Sequence, residues 1–177
     1  MIRRLVVLFV LSLGIVQAVA AAELSKDELR MKEHLIALGQ GAESLEGLRI
    51  EVADGSAMTP NYGSYDIADG KVVSQEWTEI GGEEKRSERA VSDEQVRGLL
   101  RELAERQYWT FQGTSFIPDA DTFLFRFYYK DLKDVTYRCD AQEYQQSEPR
   151  SAIRDVFLKF VSKNSVQTEA PGKLMIK

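Results

Sequence analysis

The segment at residues 122–130, T-F-L-F-R-F-Y-Y-K, constrains the fold of this 177-residue chain more than any other. Apolar side chains fall on every second residue, which is the pattern of a β-strand with one buried face. A second strand, 134–140, follows after a short turn and alternates in the same way. The two strands predict an antiparallel hairpin whose apolar face is formed by Phe123, Phe125, Phe127 and Tyr129 together with Val135, Tyr137 and Cys139.

A register for this hairpin follows from the need to bring the two apolar faces together, because a one-residue slip would turn one of them outward. We therefore place Phe127 opposite Tyr137. The same register places Arg126 opposite Arg138 on the other face of the sheet. Like charges directly opposite each other destabilise a sheet. The pair therefore predicts either an acidic side chain on a neighbouring strand or an anionic ligand.

Three segments predict helices. Ser92 and Gln95 fit a capping box at the start of one helix, and a second helix begins near Pro149. A third begins after Ser25, has poorer apolar spacing, and ends at Gly39–Gly41. The two strong helices each carry one apolar stripe at helical spacing: Val96, Leu99, Leu100 and Leu103 in one, and Ile153, Val156, Phe157 and Phe160 in the other.

Four further strands precede the hairpin. Residues 48–52 alternate at period two, and 62–68 and 71–80 flank the Asp-Gly pair at 69–70, a strong hairpin signal. Residues 83–91 are rich in charge, as suits a solvated edge strand. The order of elements lacks the recurring strand–helix–strand alternation of a parallel sheet. We therefore predict an α+β fold, with an antiparallel sheet of about six strands, two packed helices on one face and a third N-terminal helix.

The first 22 residues have the three parts of a secretory signal peptide. Arg3 and Arg4 form the positive start, 5–15 is apolar, and cleavage is expected after Ala20 or Ala22. A transmembrane anchor would need about 20 apolar residues, which is longer than this stretch. We expect a periplasmic or secreted protein with no membrane anchor after cleavage. Its predicted parts are a signal peptide (1–22), an N-terminal helical arm (23–44), an α+β domain (45–164) and a flexible tail (165–177).

The charge of the chain argues against two classes of partner. The net charge is −5, and it becomes about −7 when Arg3 and Arg4 are lost with the signal peptide. An acidic domain without a basic cluster is unsuited to nucleic acid, because that binding requires Lys and Arg to neutralise phosphates. An anionic membrane surface is disfavoured for the same reason. The expected partner is another protein.

The chain offers few residues for catalysis. Cys139 is the single cysteine and is predicted to be a small buried side chain on a strand, with an intermolecular disulfide as the alternative. His34 is the single histidine and is predicted to lie on a helix surface. These two residues do not make a zinc ligand set or a nucleophile–base pair. Asp119 and Asp121 could ligate calcium, but they favour a loop cap. We predict no catalytic residue, no metal and no cofactor, and therefore not an enzyme.

One loop stands out as a binding candidate. The connection at 114–119 joins the second helix to the fifth strand and contains Phe116 and Ile117. An apolar loop tip of this kind contacts a partner when it is exposed. The competing interpretation, which we favour, is that both side chains belong to the core beneath the end of the helix.

Three stretches of the chain carry a family resemblance. They are Y-D-I-A-D-G-K-V, V-S-D-E-Q-V-R-G-L-L-R-E-L-A-E-R-Q-Y-W, and P-D-A-D-T-F-L-F-R-F, followed by a hairpin and a final helix. Together they resemble small exported bacterial domains of unknown function and the emfourin family of protein inhibitors of thermolysin-type metalloproteases. The resemblance spans 61 to about 161 and implies a domain that binds another protein. The chain lacks the Gly-rich first strand of that pattern, and no functional residue carries over.

These observations favour an exported non-catalytic domain that binds another protein, as a protease inhibitor or an envelope accessory factor. One alternative is a two-carboxylate hydrolase acting on an extracellular polymer. It requires two carboxyl groups that converge in a cleft, one of them with a raised pKa. The other alternative is a small-anion-binding domain that uses Arg126 and Arg138. The candidate binding residues are therefore Phe116, Ile117, Arg126 and Arg138.

Overall fold

A computed structural model describes residues 23–55, 62–113 and 120–162. Within these residues, six strands form one antiparallel sheet in the order β4-β3-β2-β1-β5-β6, which confirms the predicted α+β fold. The predicted signal peptide and tail lie outside the described residues. The elements are α1 (Lys26–Gln40), β1 (Leu48–Gly55), β2 (Tyr62–Ala68), β3 (Lys71–Trp77), β4 (Lys85–Ala90), α2 (Asp93–Glu105), a short 3-10 helix (Tyr108–Thr110), β5 (Thr122–Tyr129), β6 (Val135–Asp140), α3 (Ala141–Gln145) and α4 (Glu148–Ser162).

The core lies between one face of the sheet and the helices. In β5, buried and half-buried side chains alternate along the whole strand, as the period-two pattern predicted. Phe125 contacts Phe157 of α4, with ring centroids 4.8 Å apart, and also contacts Tyr108 of the 3-10 helix. Helices therefore cover this inner face. The described residues contain no helix that is both long and apolar enough to cross a bilayer.

The helix predicted at the N-terminus belongs to this core. Its start has a capping box formed by Ser25 and Glu28. Its buried residues are part of the same cluster as the sheet, and α1 packs against α2. The contact is close because Gly39 has no side chain: a Cβ there would lie 3.3 Å from the backbone nitrogen of Arg101. Arg101 also donates a hydrogen bond to the carbonyl of Gly39 (2.9 Å) at the end of α1.

The β5–β6 register differs from the predicted one by two residues. Phe127 lies opposite Val135, and Tyr137 lies opposite Phe125 instead. The faces are unchanged, because a shift of two residues keeps every side chain on the same side of the sheet. The turn sets the register: Lys130 adopts a left-handed φ of 49°, and the N–H of Leu132 donates to the carbonyl of Tyr129 (3.1 Å).

Two other local predictions are confirmed, and one helix was missed. The Asp-Gly pair forms a two-residue turn with φ of 49° at Asp69 and 72° at Gly70. The charged strand β4 lies at the edge of the sheet, although it begins at Lys85 rather than at residue 83. The short helix α3 was not predicted because five residues are too few to show a helical period.

Candidate functional site

The face of the sheet that points away from the helices, here called the outer face, has no described helix packed on it. The side chains of this face come from alternate positions of neighbouring strands. In the four central strands, β3, β2, β1 and β5, they are mostly half-buried. They are Arg49, Glu51 and Ala53 of β1; Tyr62, Ser64 and Asp66 of β2; Val73, Gln75 and Trp77 of β3; and Leu124, Arg126 and Tyr128 of β5.

A groove of about 450 Å³ runs across the middle of the outer face. Small or aliphatic side chains line part of it, namely Ala53, Val73 and Leu124. Tyr62 also lines the groove, and its ring lies 5.2 Å from the ring of Trp77 on the neighbouring strand. The groove therefore combines apolar surface with aromatic edges, a combination that recurs in binding surfaces.

Charged side chains form a continuous network, and three of them, Arg49, Glu51 and Asp66, also line the groove. The Nε of Arg49 donates to Asp66 (2.9 Å), which raises the pKa of Arg49, and its Nη2 lies 2.8 Å from Glu51. Glu51 accepts a hydrogen bond from the hydroxyl of Tyr128 (2.8 Å) and lies 3.9 Å from Arg126. Positive and negative groups alternate along this network, so their charges largely neutralise one another.

The structure corrects the predicted pairing of Arg126 and Arg138. Arg126 lies opposite Thr136 and Arg138 lies opposite Leu124, so the two arginines are diagonal neighbours. The cause is the two-residue shift in register. The Nε of Arg126 donates to the hydroxyl of Thr136 (2.7 Å) and lies 3.6 Å from Asp134. An acidic neighbour, which is one of the two predicted ways to compensate the charge of Arg126, is therefore present.

The other two predicted binding residues, Phe116 and Ile117, lie outside the described residues, as does Asp119. Whether the loop at 114–119 belongs to the core or contacts a partner stays a prediction. Alanine in place of Phe116 is expected to cost about 3–5 kcal/mol of stability if the side chain is core. The binding surface derived below uses only described residues.

Sequence reasoning missed a polar cluster formed by His34, Glu43 and Tyr129. The Nδ1 of His34 lies 2.9 Å from both carboxylate oxygens of Glu43, and the hydroxyl of Tyr129 donates to Glu43 (2.9 Å) and to the carbonyl of Ser44 (3.1 Å). The cluster joins α1, the loop after it and β5. No local signal could reveal it, because Tyr129 is 86 residues from Glu43 in the chain.

The geometry of this cluster suits a structural link. A histidine that acts as a base must face a nucleophile with one nitrogen while an acid orients the other. Here the hydroxyl of Tyr129 donates to the carboxylate of Glu43, so it serves the same acceptor as His34. The side chain of His34 is 38% exposed, in keeping with the predicted helix-surface position. The three residues therefore hold α1 against the sheet.

Replacing Glu43 by glutamine is expected to destabilise the protein in a pH-dependent way. The hydrogen bond from His34, with a smaller contribution from Tyr129, holds the pKa of Glu43 below its ordinary value of 4.5. A carboxyl group whose pKa is lowered by folding stabilises the protein above its unfolded pKa, and this stabilisation is lost as the pH falls through the folded value. The denaturation midpoint of Glu43→Gln should therefore be lower than that of the wild type at neutral pH, and the difference should disappear in acid.

The control for this variant is Glu46→Gln, which removes an exposed carboxylate from the same loop outside the cluster. Its midpoint should follow the wild type throughout the pH range. If Glu43→Gln and the wild type have equal midpoints at neutral pH, or if their difference persists in strong acid, the carboxylate of Glu43 does not provide the link.

The thiol of Cys139 is buried, as predicted from the strand pattern. Burial raises its pKa to about 12. The Sγ lies 3.5 Å from a carboxylate oxygen of Glu143, whose negative charge also opposes ionisation. A thiol is a nucleophile and a metal ligand in its ionised form. This environment therefore favours packing over thiolate chemistry.

Two carboxyl groups near the surface have pKa values lowered mainly by hydrogen bonds from basic side chains. Lys71 lies 2.7 Å from Glu88 and lowers the pKa of that carboxyl group, as His34 does for Glu43. A general acid in a two-carboxylate hydrolase needs the opposite shift. Among the residues described by the structure, no group of three or more His, Cys, Asp or Glu side chains could hold a metal ion.

Comparison with known proteins adds no family to this picture. No protein-family model matches the chain, and no curated protein is significantly similar to it. Functional inference therefore depends on the residues of this chain, and the outer face is the most extensive candidate surface that they form.

Proposed function

We propose that the protein is an exported, non-catalytic domain that binds another protein through the outer face of its sheet. The observation that carries this proposal is the groove of about 450 Å³ on a sheet face without a described helix layer. Protein interaction sites combine apolar surface with polar and charged groups. Ala53, Val73 and Leu124 supply apolar surface in the groove, and Arg49, Glu51 and Asp66 of the ion network line the same groove.

The charges of this network affect which partners fit. Because Arg49 is paired with Asp66 and Glu51, and Arg126 with Glu51 and Asp134, most of the charge is already compensated within the protein. A compensated network does not attract strongly charged partners at long range. It favours a partner whose contact surface combines apolar groups with hydrogen-bonding groups and has no strong net charge.

The role of the complex is proposed to be that of a protease inhibitor or an envelope accessory factor. Two features support this choice: the N-terminal residues resemble a signal peptide, and the chain resembles the emfourin family from residue 61 to about 161. A thermolysin-type metalloprotease is therefore the first enzyme to assay. Stoichiometric loss of its activity on addition of the mature domain supports inhibition, whereas unchanged activity with another partner captured supports the accessory role.

Capture of a partner by outer-face variants tests the proposal. The immobilised mature domain is incubated with the cell envelope and medium of its own organism, and saturable retention of a partner is measured. Leu124→Arg places a long charged side chain in the groove and is expected to abolish retention. The matched control is Leu29→Arg, because Leu29 lies on α1 and is already 44% exposed. It should retain the partner as the wild type does.

Both variants must have the circular dichroism spectrum and denaturation midpoint of a folded protein before retention is compared. Retention by Leu124→Arg equal to that of the wild type would show that the outer face is not the binding surface. The absence of any saturable partner for the wild type over a range of salt concentrations would contradict the proposed function as a whole.

A further inference from the structure

The two edge strands of the sheet differ in how far their outer backbone groups are used. At one edge, the carbonyl of Arg138 in β6 accepts a hydrogen bond from the N–H of Gly113 (2.8 Å), so part of that edge is covered by the loop after the 3-10 helix. At the other edge, β4 pairs with β3 alone among the described elements. The far side of β4 is therefore the edge at which another strand can add.

The direction of the backbone groups in β4 follows from one hydrogen bond. The N–H of Val91 donates to the carbonyl of Gly70 (2.8 Å), which continues the β3–β4 register by one residue. In an antiparallel pair, residues alternate between those that bond across the pair and those that do not. Ser87 therefore directs its N–H and C=O groups toward β3. Arg86 and Glu88 direct theirs toward the open edge.

We propose that β4 pairs antiparallel with β4 of a second copy of this chain, about a twofold axis at Ser87. In this register Arg86 lies opposite Glu88 of the second copy, and Glu88 lies opposite the second copy's Arg86. Both pairs are of the hydrogen-bonded type, so each can form two backbone hydrogen bonds. Each pair also brings opposite charges together on the outer face, which stabilises a cross-strand pair.

The neighbouring strand extends this charge pattern. Lys71 of β3 lies 2.7 Å from Glu88 on the same face. With the second copy in place, the carboxylate of Glu88 lies between the ammonium group of Lys71 and a guanidinium group from the other chain. The charges of Lys71, Glu88 and Arg86 of the second copy therefore alternate in sign across the interface, which makes the electrostatic contacts favourable.

The neighbouring registers lack this complementarity. A shift that moves the axis by one residue places Arg86 opposite Arg86, or Glu88 opposite Glu88, and like charges directly opposite are unfavourable. Axes midway between residues would join the inner face of one copy to the outer face of the other. Charges on an edge strand oppose pairing with unrelated strands, and in β4 the same charges select a second copy in one register.

The inner face contains two symmetry-related contacts between like charges that must be accommodated. The register places Lys85 opposite Arg89 of the second copy, and both are positive. Arg89 is directed toward α4, where its Nη2 donates to the carbonyl of Phe160 (2.5 Å) and its guanidinium group lies 5.3 Å from the ring of Phe160. Lys85 is exposed and can extend into solvent. The ammonium group of Lys85 can therefore turn away from the guanidinium group of Arg89, which lies against α4.

Charge reversal at β4 tests the proposal by sedimentation velocity of the mature chain over a range of concentrations. The wild type is expected to dimerise. Arg86→Glu and Glu88→Arg should each weaken dimerisation by about tenfold or more, because each change creates two repulsive pairs. The double variant should dimerise again, since each pair then has opposite charges once more. A monomeric wild type at every concentration would overturn the proposal.

A proline variant, compared with Glu88→Ala, tests the backbone pairing, because both variants remove the carboxylate of Glu88 and only the proline also removes its N–H group. Glu88→Pro removes an N–H group that points to the open edge, and a proline at such a position of an edge strand leaves the β3–β4 hydrogen bonds in place. We expect a folded monomer with the circular dichroism spectrum of the wild type. A folded Glu88→Pro variant that still dimerises, or a double charge reversal that dimerises no better than the single ones, would overturn the assigned pairing.

Discussion

Alanine in place of Phe125 is expected to lower the free energy of unfolding by about 3–5 kcal/mol, through lost burial and the cavity left behind. Phe125 is fully buried at the centre of the inner face. Its ring lies 4.8 Å from that of Phe157 in α4 and 5.2 Å from that of Tyr137 in β6, so it joins the sheet to the helix layer. Small domains have total stabilities of about 5–15 kcal/mol. The variant should therefore lose a large fraction of its stability.

Chemical denaturation measures this effect, provided that the slope with denaturant is unchanged. Leu124→Ala is the matched control, because Leu124 is the adjacent residue of β5 and its side chain points to the outer face. We expect it to cost no more than about 1 kcal/mol, since its side chain is only half-buried. Equal costs for the two variants would contradict the assignment of inner and outer faces.

The second large effect is expected at Asp54, which joins β1 to α4. The Nε of Arg154 donates to one carboxylate oxygen (3.1 Å) and its Nη2 to the other (2.7 Å), and the guanidinium group lies 5.2 Å from the ring of Tyr144. Two parallel charge-assisted hydrogen bonds make this a strong geometry. The Arg154 and Asp54 side chains are 27% and 17% exposed, so removing the carboxylate leaves a largely desolvated guanidinium group.

Asp54→Ala should therefore lower the free energy of unfolding by about 2–3 kcal/mol, less than for a fully buried pair because some solvent reaches both groups. The same arginine provides an internal control. Asp155 also lies near it, at 3.9 Å from Nη1, but its side chain is 73% exposed. Asp155→Ala should change stability by no more than about 0.5 kcal/mol. If Asp54→Ala were equally mild in denaturant titrations, the pair would not be a link between the sheet and α4.

The candidate site was predictable from the sequence only in part. Arg126 was predicted to lie on the polar face of its strand and does so, but its predicted opposition to Arg138 is wrong. The rest of the outer face was not identified from the sequence. Val73 lies on β3 and Leu124 on β5, and β2 and β1 lie between these two strands in the sheet. An individual aliphatic residue on a strand does not indicate a groove. The predicted role of Phe116 and Ile117, in the core or in binding, stays a prediction.

The elements that depend on nearest neighbours in the chain were determined by the sequence alone. The capping box at Ser92, the turn at 69–70 and the alternation along β5 each depend on residues within a few positions of one another, and all three are present. Their cause is local: a side-chain hydrogen bond to a nearby N–H, a left-handed backbone angle, or the two-residue period of a strand.

Features that depend on distant pairs were decided only by the tertiary structure. The two-residue period of a strand excludes register shifts by an odd number of residues, because these would turn the apolar face outward. It does not distinguish the observed pairing of Phe127 with Val135 from a pairing two residues away. That choice required the turn at Lys130. The link between Glu43 and Tyr129 and the groove of the outer face likewise combine segments far apart in the chain, and they form only when the strand order β4-β3-β2-β1-β5-β6 brings those segments together.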